Sequence, residues 1–164
     1  NPMSLLAAAR DFAGRTWDLE AEPPDDPLEK RFGPVRIVVS RRWMPQPPDP
    51  RRMAWLIDDR ARLAFQAMAG AHYTPSLADY VDQRGAVTND GYYRFGAAPL
   101  HHPTGLEAWE VGETAPHLAD RPVRYLRLLR GRRAILVLSI EAAGNVPSSV
   151  GAPFAAAFQS LRLD

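Results

Sequence analysis

Cysteine is missing from this chain of 164 residues, which excludes disulfides, thiolate catalysis and thiolate-held zinc or iron–sulfur clusters. Lysine is nearly missing too: of 20 basic residues only Lys30 is not arginine, a bias that a GC-rich coding sequence accounts for without any special arginine chemistry. No stretch approaches the roughly twenty apolar residues that span a bilayer, and the run Ala134 to Leu138 is strand-sized. Neither phosphate-cradling glycine pattern, G-x-x-x-x-G-K-[ST] or G-x-G-x-x-G, occurs, so nucleotide binding has no support. A Gly-x-Ser-x-Gly nucleophile elbow is absent as well. With a net charge of +1, no global field draws the protein onto nucleic acid.

What is present is the composition of a folded chain, 46% hydrophobic and 24% charged, of a length that fits one domain over 1–164. Residues 1–50 read as a proline-rich N-terminal extension with a short helix from Ser4 and a first strand over Gly33 to Trp43. Glu22 to Pro27 and Pro45 to Pro50 read as exposed connections kept out of any sheet. Residues 51–164 carry the main sheet and helices. Arg51 to Ile57 reads as a strand. Arg60 to Ala69 is composed like a helix but alternates like a strand, and the Asp58-Asp59 turn pair decides for strand. Thr74-Pro75-Ser76 opens a helix that Gly85 stops. Short strands follow at Tyr92 to Phe95 and Leu106 to Val111.

The ending has the clearest pattern. Pro122 to Leu129 and Arg133 to Ile140 form an antiparallel hairpin, with Gly131 supplying the turn through its backbone freedom. Val150, Phe154, Phe158 and Leu161 then recur at helical spacing. The fold class is α+β, with an antiparallel β-sheet flanked by helices.

The order of a strand pair, the Tyr73 to Val81 helix, strands including Gly105 to Trp109, the long hairpin and the closing Phe154-Ala-Ala-Ala-Phe-Gln-Ser-Leu-Arg162 resembles the PsbP-like superfamily. That group includes the photosystem II extrinsic subunit, Ran-binding Mog proteins, DcrB-type lipoproteins and Eag-type secretion chaperones. The likeness covers about residues 53 to 163. It implies an α/β/α sandwich and a non-enzymatic role as adaptor, chaperone or extracytoplasmic accessory protein. No functional residue transfers from it. A periplasmic protein or lipoprotein is preferred to a cytoplasmic one, and the start Asn1-Pro2-Met3 fits either a native Met3 or a removed signal.

Candidate site residues come from charge and aromaticity. Arg121, Arg124, Arg127, Arg130, Arg132 and Arg133 crowd the hairpin, so this end of the sheet is expected to be positive and able to hold an acidic protein surface or phosphate; the alternative is a solvated hairpin whose charges block edge pairing. Trp43, between Arg41-Arg42 and the proline-rich loop, is either a partner anchor or a core residue. His72, His101, His102 and His117 lack metal-ligand spacing, and adjacent His101 and His102 should point apart. Glu107 and Glu110 read as solvated. The reading is therefore a protein-binding module with no cofactor, no metal, no catalytic residue and no nucleic-acid partner. Its rivals are a small enzyme with a pocket near His101 or His117, and a structural subunit held by the arginine patch.

Overall fold

Seven antiparallel strands make the floor of the molecule in the computed structural model, which describes residues 21–58, 61–69, 76–120, 122–143 and 148–163 and the side chains of all of these but 69 and 148–150. The expected helix from Ser4, together with Trp17, His72, Thr74, Pro75 and Arg121, lies outside the described residues. In chain order the strands are β1 (Pro27–Phe32), β2 (Val35–Ser40), β3 (Met44–Pro45), β4 (Arg52–Leu56), β5 (Ala61–Ala69), β6 (Tyr93–Leu100), β7 (Ala108–Thr114), β8 (Pro122–Arg130), β9 (Ala134–Ala143) and β10 (Arg162–Leu163). The helices are α1 (Leu77–Arg84) and α2 (Ser148–Ser160). The main sheet runs β3-β4-β5-β9-β8-β7-β6, and a second sheet runs β1-β2-β10.

Alternation sorts the residues of the main sheet. On one face Val111, Leu126, Leu128, Ile135 and Val137 meet Leu77 and Val81 of α1. On the other, Phe65, Tyr125, Leu129, Leu136, Leu138 and Ile140 meet Phe154, Phe158 and Leu161 from α2 and its C-terminal end, and Val35, Ile37 and Val39 of β2. Each fully buried Leu, Ile or Phe among them contributes roughly 1.5–3 kcal/mol. Among the described residues the fold is α+β, mostly antiparallel sheet with two helices.

The hairpin pairs Pro122 with Ala143 through Arg130 with Ile135, as expected. Gly131 works differently from the expectation: its φ is not positive, and a Cβ there would fit tightly, 3.1 Å from the Ala134 carbonyl oxygen, and touch Leu163 in ordinary contact at 3.5 Å. Residues 61–69 are strand, paired in full to β9. Ser76 caps α1, its hydroxyl accepting from the Asp79 amide at 3.2 Å, and Gly85 ends it at φ 82°.

Two expectations about the N-terminal third change. Gly33 to Trp43 is not one strand but the second arm of a hairpin turned at Gly33, φ 58°, whose first arm starts at Pro27. That arm, of which only Pro27 falls in an expected connection, is an edge with four of its six residues exposed, and only Leu28 and Phe32 pack inward. Pro45 lies in a sheet after all, paired with Trp55, at an edge where its missing donor costs no ladder bond.

Candidate functional site

The β7–β8 ladder is where the chemistry gathers. Glu110 and Glu113 stand three apart on β7, and Arg124 and Arg127 three apart on β8, so each pair of like residues points to opposite faces. Register then sets Glu110 across from Arg127 and Glu113 across from Arg124. Both glutamates are fully buried, not solvated. Glu107 is not free either: its Oε1 accepts from the Leu77 amide at 2.7 Å, at the start of α1.

On the α1 face, Glu113 is enclosed by two guanidinium groups. Arg84, in the last turn of α1, donates from Nε at 2.7 Å and Nη2 at 2.9 Å; Arg124 donates from Nε at 2.9 Å. Arg124 also reaches Asp90 at 2.8 Å and stacks 3.9 Å above the Tyr92 ring. Arg124 and the Thr88 hydroxyl hold the Asp90 carboxyl down at about 2, while burial and the neighbouring Glu141 push the Tyr92 phenol up to about 12.

On the α2 face, both contacting nitrogens of Arg127 reach the same oxygen of Glu110, Oε1, at 3.1 Å. Glu110 Oε2 has no hydrogen-bond partner among the described residues. Burial accordingly pushes the Glu110 carboxyl up. The rings of Phe154 and Phe158 lie 5.6 and 5.7 Å from the Arg127 guanidinium.

Two depressions flank this ladder. On the α1 face the eight-residue helix, about 12 Å long, packs over β7, β8 and the near side of β9, and its Tyr80 hydroxyl donates to Met68 Sδ of β5 at 3.3 Å. It leaves an open trough of about 770 Å³ over β4, β5 and β9. Arg52, Arg62, Arg84 and Arg124 line it, against Asp90 and Glu141. At the opposite face, where the Gly33-Pro34 turn and β10 meet the hairpin tip, a groove of about 860 Å³ is lined by Phe32, Leu106, Leu136 and Leu163, with Arg132, Arg133 and Arg162 also on its walls.

The expected arginine patch is thus dispersed by strand alternation. Arg124 belongs to the trough, Arg127 is in the core at 5% exposure, Arg132 and Arg133 are exposed at the groove, and Arg130 is half-buried with its amide bonded to the Glu107 carbonyl at 2.9 Å. Trp43 is a core residue, 7% exposed, packed in the cluster that holds Trp55 and Phe158. The sequence reading missed Arg52, Arg62, Arg84, Asp90, Glu113 and Glu141. For Glu113 the available signal was the spacing E-x-x-E on β7 facing R-x-x-R on β8; the others have no local pattern that marks them.

His101 is exposed and His102 buried, so the neighbours do point apart. His102 Nε2 donates to the Phe158 carbonyl at 2.8 Å, while Nδ1 accepts from the Thr104 amide at 3.2 Å. Nε2 faces an acceptor only, which sets the tautomer. Burial lowers the His102 pKa from its usual value. His117 packs edge-on against Tyr93 at 6.3 Å. Among the described residues no three His, Asp or Glu side chains stand close enough to hold a metal ion, and no helix is long and apolar enough to cross a membrane.

No family model matches the chain, and no curated protein matches it by sequence. Solved structures do match. The Ran-binding protein Mog1p of Saccharomyces cerevisiae superposes with a TM-score of 0.60 at 10% identity, over 87% of this chain and 96% of Mog1p. Cyanobacterial PsbP (CyanoP) of Synechocystis gives 0.56 at 9% identity, over 84% of this chain and 91% of CyanoP. The fold is the one shared by Mog1p and CyanoP. A protein of Bacteroides thetaiotaomicron also matches, with a TM-score of 0.61 at 10% identity; 85% of this chain is covered, and it spans about half of that longer protein, 48%.

Proposed function

We propose that this chain is a non-enzymatic accessory or interaction protein of bacterial type, an adaptor, chaperone or extracytoplasmic binding module built as an α/β/α sandwich. In this reading it presents the open half of its main sheet to an acidic surface of a protein partner. The observation that carries the proposal is the trough itself: a rigid antiparallel floor left uncovered by a short α1 and lined by four arginines against two acids. Arginine suits such a surface, because its planar fork binds carboxylates two bonds at a time. The superfamily resemblance, which takes in lipoproteins, supports a periplasmic or membrane-anchored setting.

The test is site-directed photo-cross-linking. A photoreactive residue at Gln66, on the trough wall, should capture a discrete protein at low salt and lose it as salt rises, since a Debye length of about 10 Å at 0.1 M shrinks to about 3 Å at 1 M. Arg52→Glu with Arg62→Glu should abolish capture while the chain stays folded, its melt lowered modestly because residue 62 then faces Glu141 across the sheet. Capture of the same protein by the doubly reversed variant, or capture insensitive to salt, overturns the proposal.

A further inference from the structure

The groove at the hairpin tip is a second site of different chemistry. It is lined by Phe32, Val35 and Leu163 of the small sheet, by Ala67 and Leu136 of the main sheet, and by Leu106 of the β6–β7 connection. Its volume, about 860 Å³, falls in the range of small-ligand sites, roughly 300–1,000 Å³. No Asp or Glu lines it among the described residues, while Arg132, Arg133 and Arg162 do. Arg162 is fixed in place: its Nη1 donates to the carbonyls of Gln159 and Leu161, both at 2.7 Å. Arg132 and Arg133 are exposed on the hairpin turn. An apolar slot with only positive charge on its walls complements a molecule with one apolar tail and an anionic head.

We propose that this groove binds a long-chain aliphatic carboxylate, its tail laid against the half-buried Phe32, Leu106 and Leu163 and its head paired with Arg132, Arg133 and Arg162. The slot is built around its own shape. His102 fastens both walls, holding Thr104 through Nδ1 and the end of α2 that leads into Leu163 through Nε2. Such a site is already formed before its ligand arrives, which lowers the ordering cost of binding. It lies on the face of the main sheet away from the arginine trough, so its occupancy and the capture of an acidic partner are separately testable.

The experiment is displacement of a dansyl-tagged undecanoate from the full chain by decanoate, dodecanoate, myristate and palmitate, each below its micelle-forming concentration. Affinity should rise with length, by up to about fourfold per methylene, and dodecanol should compete about tenfold less well than dodecanoate, the equivalent of one charge-assisted contact. Arg132→Gln with Arg133→Gln should bring dodecanoate to the level of dodecanol and leave dodecanol unchanged. Ala67→Phe should block both ligands; Leu163→Asp, at a two-residue strand, should block the carboxylate more than the alcohol and serves if Ala67→Phe fails to fold. Equal competition by carboxylate and alcohol in every form overturns the proposal, as does no displacement. So do two further outcomes: displacement by an acidic amphipathic peptide when carboxylates fail, which makes the occupant a polypeptide, and retention on phosphatidylglycerol vesicles when carboxylates fail, which makes this face a membrane contact.

Discussion

The two faces of the β7–β8 ladder bury the same pair of residues and treat it differently. Under α1, Glu113 is gripped by two arginines, with bonds to both carboxylate oxygens. Under α2, Glu110 meets one arginine through one oxygen and leaves the other without a partner among the described residues. The first face is half open and polar, so water and a second cation can share the burden; the second is closed by phenylalanines, where each unsatisfied charge costs far more. The difference teaches that a buried ion pair stabilises only as far as its surroundings complete it.

The largest effect should come from Glu113→Ala. It strips the shared acid from two partly buried guanidinium groups and should cost about 3–5 kcal/mol in denaturant unfolding; a loss below about 1 kcal/mol would break the contrast between the faces. Arg127→Met should cost about 3 kcal/mol alone because it strands Glu110, yet adding Glu110→Leu should recover that loss and could add about 1–4 kcal/mol, as apolar replacements of buried pairs do. If the double variant is instead as unstable as the single, the pair under α2 is worth more than its geometry shows.

Third in size is acid sensitivity. The folded His102 pKa lies below its unfolded value near 6.5, so the unfolded chain binds the extra proton, and stability present above 6.5 falls as pH drops below it. The slope reaches at most about 1.4 kcal/mol per pH unit. Glu110 acts with the opposite sign, since its raised folded pKa makes acid favour the folded form, so the slope is read in a Glu110→Gln background. His102→Asn in that background should flatten it; an unchanged slope assigns the transition elsewhere. Smallest is Asp90→Asn. Its pair with Arg124 is half exposed on the acid side, so the loss should stay within about 1 kcal/mol. It should vanish between about pH 3.8 and about 2, as the wild-type carboxyl itself protonates.

Much of the frame was legible because period and punctuation are local. Leu63, Phe65 and Ala67 alternate, Phe154 and Phe158 are a helical turn apart, and Gly85 stops a helix from within the chain itself. The site was less legible because it depends on partners across the sheet. Arg124 and Arg127 look alike in sequence, and only their parity against Glu113 and Glu110 sends one to a solvent-facing trough and the other beneath α2. The edge strand β1 escaped for a related reason: Glu29, Lys30 and Arg31 are what an exposed edge needs, and they are also what a loop contains. Trp43 shows the limit of neighbourhood arguments, since the arginines and prolines beside it are exposed while its ring turns inward.

The small sheet is closed by its last strand. Val38 donates its amide to the Ser160 hydroxyl, 122 residues away, and β10 pairs with β2. During synthesis, then, Val35, Ile37 and Val39 must wait until α2 and β10 have left the ribosome before their layer can be completed. A nascent chain halted before α2 would expose that β-branched row, a natural target for holding factors and a point where slow translation carries a risk of aggregation.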